Sequence, residues 1–127
     1  MAKKLQFIVF ILLCALILSA CGQNGAVSAA ENYIHALVNK DASRLSALSC
    51  ADWEAGAQME LDSFQGVAIR LDGLSCAAAS TDKDTTLVKC QGKIIATYDN
   101  EDQEFDLSVQ PYRIVNQGGN FLMCGHE

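Results

Sequence analysis

The stretch that decides the fold is residues 67–98, which read VAIRLDGLSCAAASTDKDTTLVKCQGKIIATY. Apolar and polar side chains alternate over residues 67–71 and again over residues 88–98. This period of two is typical of β-strands that bury one face. The polar run 80–85 separates the two segments and predicts a turn. The sequence therefore predicts an antiparallel hairpin at the centre of the fold.

Two more strands are predicted downstream of this hairpin. The Asp72-Gly73 step interrupts the alternation of the first strand and predicts a β-bulge there. The acidic run 99–104 predicts the next turn, and the apolar side chains of residues 105–114 predict a third strand that continues across Pro111. After a Gly-Gly turn, residues 121–124 complete a meander of four antiparallel strands.

Three helices are predicted upstream of the hairpin. Ser28 and Glu31 form a capping-box pattern in front of residues 29–39, whose apolar side chains recur at helical spacing. Asp41 is expected to cap a shorter second helix, and Asp52 a third. A sheet with one apolar face needs a cover, which the first helix provides. The predicted fold class is α+β, with N-terminal helices packed on a four-stranded antiparallel sheet.

The first twenty residues have the pattern of a secretory signal peptide. Lys3 and Lys4 precede an almost wholly apolar run over residues 5–18, which is shorter than the roughly 20 residues that span a bilayer. The motif Leu18-Ser19-Ala20-Cys21 follows and resembles the lipobox of bacterial lipoproteins. The resemblance implies cleavage before Cys21 and a diacylglycerol on its thiol.

The lipobox also implies a division of the chain and a location. We expect a signal peptide at 1–20, a lipidated tether at 21–27 and one domain at 28–127, anchored by lipid outside the cytoplasm. Gly22 follows the lipidated cysteine in place of an aspartate, which implies the outer membrane if the cell has two membranes. Without the two lysines of the signal peptide, 7 basic and 15 acidic residues give a charge of about −8. Such a surface excludes nucleic acid as a partner, because phosphate contacts need Lys and Arg.

Four cysteines remain once Cys21 is committed to lipid, and they are Cys50, Cys76, Cys90 and Cys124. An even number in an exported chain predicts disulfides. A hairpin centred near residue 83 places Cys76 directly opposite Cys90, at a spacing that a disulfide can bridge. This pairing leaves Cys50 for Cys124. No Cys-x-x-Cys pair is present, so the sequence predicts no metal site.

Loose architectural signatures place residues 27–126 near a known superfamily. They are the segment 29–37, which reads AAENYIHAL, the Lys40-Asp41-Ala42 step, and the closing segments 112–115 and 118–125. The pattern resembles the NTF2-like (cystatin-like, cone-shaped) superfamily, and within it small secreted lipoproteins of unknown function. The resemblance implies a curved sheet that wraps the long helix and leaves a cavity. Members include isomerases, dehydratases, ligand binders and partner binders, so the resemblance implies shape more than chemistry.

Side chains with an apolar body and a polar tip are the candidates for lining such a cavity. They are Tyr33, Trp53, Tyr98 and Tyr112, to which His35, beside the apolar stripe of the first helix, is added.

Catalytic residues are not evident in the sequence. Most carboxylates fall in predicted turns, Asp106 is expected to face away from the apolar side, and Glu54 and Glu60 are expected on exposed helix faces. His126, next to the terminus, is expected to fray. No phosphate loop, Ser-His-Asp set or free nucleophilic cysteine is visible, and no cofactor is predicted.

Three hypotheses for function follow. The first is a lipid-anchored, non-catalytic module that binds a small ligand or an envelope protein, marked by a mostly apolar pocket with few polar groups. The second is an isomerase- or dehydratase-type enzyme, marked by a carboxylate or histidine in the cavity. The third is a structural protein that forms a homodimer through an exposed apolar sheet face of several hundred Å².

Overall fold

The computed structural model of the protein describes residue 3 and residues 23–127. The lipobox, Cys21 and the signal peptide apart from Lys3 lie outside the described residues, so lipidation stays a prediction. Within the described part, no helix is both long enough and apolar enough to cross a membrane.

The fold is α+β, with the helices preceding an antiparallel sheet in the sequence. Residues 23–38 form the described part of α1, and it is followed by α2 (Ala42–Ala47), a 3₁₀ turn (Ala51–Trp53) and α3 (Glu54–Asp62). The strands are β1 (Ala68–Asp82), β2 (Thr85–Tyr98), β3 (Glu101–Asp106), β4 (Tyr112–Gln117) and β5 (Asn120–His126).

The first helix extends further upstream than the sequence indicated. Residues 23–27, predicted as part of the tether, are helical, and Ser28 lies within the helix instead of capping it. Ala26 is fully buried, and a Cβ built on Gly25 would lie 2.5 Å from the ring of Phe121. The small side chains of this turn therefore pack closely against the sheet. That packing stabilises a helical turn which the capping pattern alone would not predict.

The two shorter helices differ in how they begin. Asp41 caps α2, because its Oδ1 accepts a hydrogen bond from the Arg44 amide at 3.1 Å, as predicted. Asp52 does not cap a helix, since it lies within the 3₁₀ turn and α3 begins at Glu54 without a side-chain cap. Backbone hydrogen bonds hold the 3₁₀ turn in front of α3 instead. The Trp53 amide donates to the Cys50 carbonyl, and the Cys50 amide donates to the Met123 carbonyl in β5.

The sheet has five antiparallel strands where four were expected. Its order is β1-β2-β4-β5, and β3 pairs with the same edge of β2 that β4 uses further along. The predicted third strand is divided into β3 and β4. The Leu107 amide still donates to the Gly92 carbonyl of β2, but residues 107–111 form no strand, and Pro111 has no amide hydrogen to donate to a ladder. The predicted acidic turn is also shorter. Asp99 and Asn100 alone form it, with φ of 48° and 66°, the geometry of a tight two-residue hairpin turn.

The β1–β2 hairpin sets Cys76 opposite Cys90, as predicted. The register shifts after Asp72, where the bulge was expected, and it shifts again between Ala78 and Ser80. The second shift was not predicted, and it decides the cysteine pairing. Continued without it, the register that pairs Asp82 with Thr85 across the turn would set Cys76 opposite Gln91.

A glycine is required opposite the first bulge. Gly92 has a φ of 110°, and a Cβ there would lie 2.7 Å from the carbonyl oxygens of Asp72 and Gly73. The bulge therefore brings the two backbones too close for any side chain at this position.

The core lies between α1, the short helices and one face of the sheet. Its largest fully enclosed side chains come from every layer, and they are Tyr33, Ile34, Leu45, Leu61, Val88, Ile114 and Met123. Two disulfides join the same pairs that the hairpin register predicted. Cys76 and Cys90 lie 4.0 Å apart at Cα, and Cys50 and Cys124 lie 5.3 Å apart. Because disulfides persist in oxidising compartments, the two bridges indicate an extracytoplasmic environment.

Candidate functional site

A cleft of about 480 Å³ opens between the helices and the β2–β3 side of the sheet. Half of its lining is apolar or aromatic and half is polar. The first group is Leu37, Phe64, Ile94, Tyr98 and Phe105, and the second is Glu60, Ser63, Asp106, Gln110 and Tyr112. Apolar walls with a few convergent polar groups are characteristic of small-molecule sites.

The apolar walls come from three parts of the fold. Leu37 lies in the last turn of α1, and Phe64 directly follows α3. Phe105 pairs with Ile94 across the β2–β3 ladder, and its ring meets the Phe64 ring edge to face at 5.4 Å. This aromatic contact connects α3 to the sheet and closes one side of the cleft.

A polar network centred on Glu60 lies beneath the cleft. The Tyr33 hydroxyl donates to Oε2 of Glu60 at 2.6 Å, and Nε1 of Trp53 donates to the Tyr33 oxygen at 3.0 Å. Nε2 of His126 lies 2.6 Å from the other carboxylate oxygen of Glu60. One carboxylate thus joins α1, α3 and β5, and it remains partly exposed at the cleft.

Both tyrosines next to Glu60 have raised pKa values. Burial is the largest cause of the raised pKa of Tyr33, followed by the charge of Glu60 and the hydrogen bond to it, while the Trp53 bond acts in the opposite direction. Burial, and then the charge of Glu60, raise the pKa of Tyr112. Both phenols are therefore protonated at neutral pH, which fixes Tyr33 as the donor to Glu60.

The Tyr112 hydroxyl has no hydrogen-bond partner among the described residues, although the residue is only 6% exposed. Among the described residues, one side-chain nitrogen or oxygen is both enclosed and without a hydrogen-bond partner, and it is Nδ1 of His126. The Tyr112 oxygen, which also has no partner among them, is therefore not fully enclosed. Tyr112 is one of the residues that line the cleft.

Neither ring nitrogen of His126 is free to contact a molecule in the cleft. Its Nε2 is bound to Glu60 and its Nδ1 is enclosed. The ring packs edge-on against Tyr112, with centroids 4.8 Å apart, and against Trp53 at 5.6 Å. The imidazole therefore holds the Glu60 carboxylate and the Tyr112 ring in place.

The predicted cavity residues fall at different depths. Tyr98 and Tyr112 line the cleft. Tyr33 is fully buried behind Glu60, and Trp53 is half-buried and bound to Tyr33. His35 is exposed on α1 and is not among the residues that line this cleft.

Two residues of the site were missed. Glu60 was expected on an exposed helix face and His126 in a frayed terminus, yet they contact each other and their side chains are only 26% and 18% exposed. A signal for Glu60 was present in the sequence, because the buried Ala57, Leu61 and Phe64 share its helical stripe at spacings of three and four. A carboxylate within an apolar stripe is expected to be partly buried. Asp106 was expected to face away from the apolar side; it is exposed, and it borders both this cleft and a groove that it shares with Lys93 and Ser108.

A larger groove of about 560 Å³ lies beside the β1–β2 turn. Its walls are mostly polar side chains of that turn and of the chain end, including Asp82, Lys83, Asp84 and Glu127, all of them exposed. It lacks the aromatic walls of the cleft at Glu60, so the smaller cleft is the better candidate for a binding site.

Comparison with known proteins supports the fold and gives no family. No family model matches the chain, and no curated protein matches it. The crystal structure of the helical cell shape determining protein Pgp2 from Campylobacter jejuni is similar, with a TM-score of 0.51 and 11% sequence identity. The match covers 78% of this chain and 38% of that one, so this chain spans well under half of its length. At this identity the likeness concerns the fold alone.

Proposed function

We propose that the protein is an extracytoplasmic lipoprotein, anchored through Cys21, whose NTF2-like domain binds a small ligand in the cleft at Glu60. The lipobox pattern and the two disulfides support the location. The order of helices and strands, with a cleft between them, supports the superfamily. The observation that carries the binding function is the Tyr112 hydroxyl, which is protonated, has no hydrogen-bond partner within residues 23–127, and lies beside aromatic walls and a carboxylate.

The binding function is tested with a fragment screen by ligand-observed NMR, using the full chain in phosphatidylcholine nanodiscs and empty discs as the blank. Gln110→Trp fills the cleft from an exposed position on its rim, and Gln65→Trp is the matched control, exposed and outside the lining. We expect fragments that bind the wild type and Gln65→Trp but not Gln110→Trp. Fragments that bind all three proteins alike, or none, would overturn the proposal.

The anchor is tested separately by metabolic labelling with palmitate. The wild-type chain should incorporate label and fractionate with membranes. Cys21→Ala should remain an unlabelled precursor, because no thiol is left to accept the diacylglycerol. Labelling of the variant would overturn the lipoprotein proposal, and it would not bear on the proposal that the cleft binds a ligand.

An enzyme of the isomerase or dehydratase type is the second candidate, and Glu60 is the observation that favours it. A carboxylate acceptor and the phenol donor of Tyr112 border the same cleft, and such a pair can move a proton and stabilise a developing oxyanion. Glu60 already accepts hydrogen bonds from two residues, so only its remaining lone pairs could take a substrate proton. Incorporation of solvent deuterium into β,γ-unsaturated ketones, lost in Glu60→Gln, would support the enzyme; no exchange above the blank would exclude this reaction.

The structural dimer remains a prediction that no observation favours. Large apolar side chains exposed in residues 23–127 come from separate elements, and they are Met59, Phe105 and Val109. The strands β1 to β3 instead carry exposed ion pairs, Arg70–Asp102 at 3.0 Å and Lys93–Glu104 at 2.6 Å.

A further inference from the structure

The cleft is acidic as well as aromatic. Two of its ten lining residues, Glu60 and Asp106, are carboxylates, and none of the ten is Lys or Arg. The Asp106 carboxylate accepts from the hydroxyl and the amide of Ser108, at 2.7 and 2.8 Å, and these bonds hold its pKa below the usual range. Asp106 pairs with Lys93 across the β2–β3 ladder, and it also borders a second groove, of about 280 Å³, together with Lys93 and Ser108. The Nζ of Lys93 is bound to Glu104 at 2.6 Å and does not form an ion pair with Asp106.

The Tyr112 hydroxyl, which has no hydrogen-bond partner among the described residues, is a second feature that favours a ligand in the cleft. The residue is more than nine-tenths buried, lines the cleft, and lies close enough to Glu60 for that charge to raise its pKa. Its oxygen has two lone pairs that can accept hydrogen bonds. Because Tyr33 and His126 take one lone pair on each Glu60 oxygen, others remain open.

The lining discriminates between classes of head group. An anion would be repelled by both carboxylates, and a wholly apolar molecule would remove water from Glu60 and Tyr112 without replacing its hydrogen bonds. An ammonium group has three hydrogen-bond donors and no acceptor. It can therefore donate both to the Glu60 carboxylate and to the hydroxyl oxygen of Tyr112. The rings of Phe64 and Phe105 offer apolar surface to the body of such a molecule and attract its charge.

On these grounds we infer that the cleft selects organic cations, namely primary amines that carry an apolar body. The inference rests on the proposed binding function and narrows it to one ligand class. Carboxylate, hydroxyl and aromatic side chains arranged in this way recognise the charge and the hydrophobic surface of one molecule together.

The test uses three probes that share a phenyl group and a short alkyl chain: 3-phenylpropylammonium, 3-phenylpropanol and 3-phenylpropanoate. Affinities are measured by ligand-observed NMR on the full chain in phosphatidylcholine nanodiscs, with empty discs as the blank. We expect the amine to bind about tenfold more tightly than the alcohol, as one charge-assisted hydrogen bond would give. The carboxylate should not bind. Added salt should weaken only the amine.

Two variants locate the binding. Asp106→Asn removes one exposed negative charge without a change in shape, and it should weaken the amine about threefold or more while leaving the alcohol unchanged. Gln110→Trp should block both probes. If amine and alcohol bind equally and Gln110→Trp blocks both, the cleft binds ligands and the cation inference is overturned. If the amine binds but neither variant affects it, or if the carboxylate binds best, the inference is also overturned. If no probe binds, it is overturned as well, and the fragment screen then decides the binding function by itself.

Discussion

The disulfide between Cys50 and Cys124 should contribute more stability than the one between Cys76 and Cys90. It joins residues 74 positions apart, whereas the hairpin bridge joins residues 14 apart. The long bridge also lies beside two backbone hydrogen bonds that tie the helical half to β5, from the Cys50 amide to the Met123 carbonyl and from the Met123 amide to the Leu48 carbonyl. Its removal deletes the covalent link between the helical half of the domain and β5.

The magnitude follows from the entropy of loop closure. The entropy that the unfolded chain loses on closing the longer loop raises its free energy by about 4.5 kcal/mol. The shorter loop raises it by about 3 kcal/mol, which is about 1.5 kcal/mol less. The free energy of unfolding of a domain is typically about 5–15 kcal/mol, so either loss is a large part of the total. At a urea slope of about 2 kcal/mol/M, the midpoint should fall by about 2 M without the long bridge and by about 1.5 M without the short one.

The assay compares Cys50→Ala/Cys124→Ala with Cys76→Ala/Cys90→Ala, so that neither variant retains a free thiol. Urea unfolding is followed by the fluorescence of Trp53, the single tryptophan of the chain. Equal losses, or a larger loss for the hairpin variant, would refute loop closure as the main contribution. Non-reducing peptide maps of the wild type provide the control for pairing, since a link between Cys50 and Cys76 would contradict the observed register.

Three further predictions concern the core and the polar network. Tyr33→Phe removes the donor to Glu60 and the acceptor of the Trp53 indole, and should lower the free energy of unfolding by about 2–4 kcal/mol in urea titrations; a loss near zero would show that the network is idle. Ala26→Leu should cost about 1–3 kcal/mol because Ala26 is fully buried, whereas Ser28→Leu, at an exposed position of the same helix, should be nearly neutral; equal effects would show that this turn is not packed. Because the folded pKa values of Tyr33 and Tyr112 lie above the usual value near 10, the stability they contribute is fully present below about pH 10 and is lost as the pH rises towards the folded values. Their phenolate absorbance should therefore rise together with the loss of circular dichroism, and an earlier rise would contradict the burial.

Local alternation was enough to predict the hairpin and its first bulge. The cysteine pairs were predicted by centring the hairpin near residue 83, although the observed pairing depends on a second bulge that the sequence did not reveal. The second bulge lies beside Ala77-Ala78-Ala79, where three identical side chains give no contrast between the faces of the strand. The first four residues of β3 were predicted as a turn because they are exposed and mostly acidic, so they show no buried face. The Asp99-Asn100 turn that begins it is a recognisable signal, since both residue types tolerate positive φ.

The polar network could be predicted only in part. The helical stripe of α3 indicates that Glu60 faces inward, but nothing local indicates what it meets. His126 is 66 positions away and is brought to it by the order of β4 and β5 and by the disulfide at Cys124. Contacts at such a separation depend on the register of several strands, and a one-residue error in any of them turns the histidine to the other face.

The segment that supplies Gln110 to the cleft contains a change of phase that is visible in the sequence. Within residues 105–114, the apolar side chains fall on odd positions at Phe105, Leu107 and Val109 and on even positions at Tyr112 and Ile114. One continuous strand could not bury both sets on the same face. In the structure, residues 107–111 lie opposite residues 89–92 of β2, five residues against four. The Leu107 amide still donates to the Gly92 carbonyl at 3.0 Å, and regular pairing resumes at Tyr112. Val109 is consequently 75% exposed, and Gln110 comes to the rim of the cleft. The extra residue before Pro111 therefore changes the phase of the strand, and the segment that contains it supplies Gln110 to the lining of the cleft.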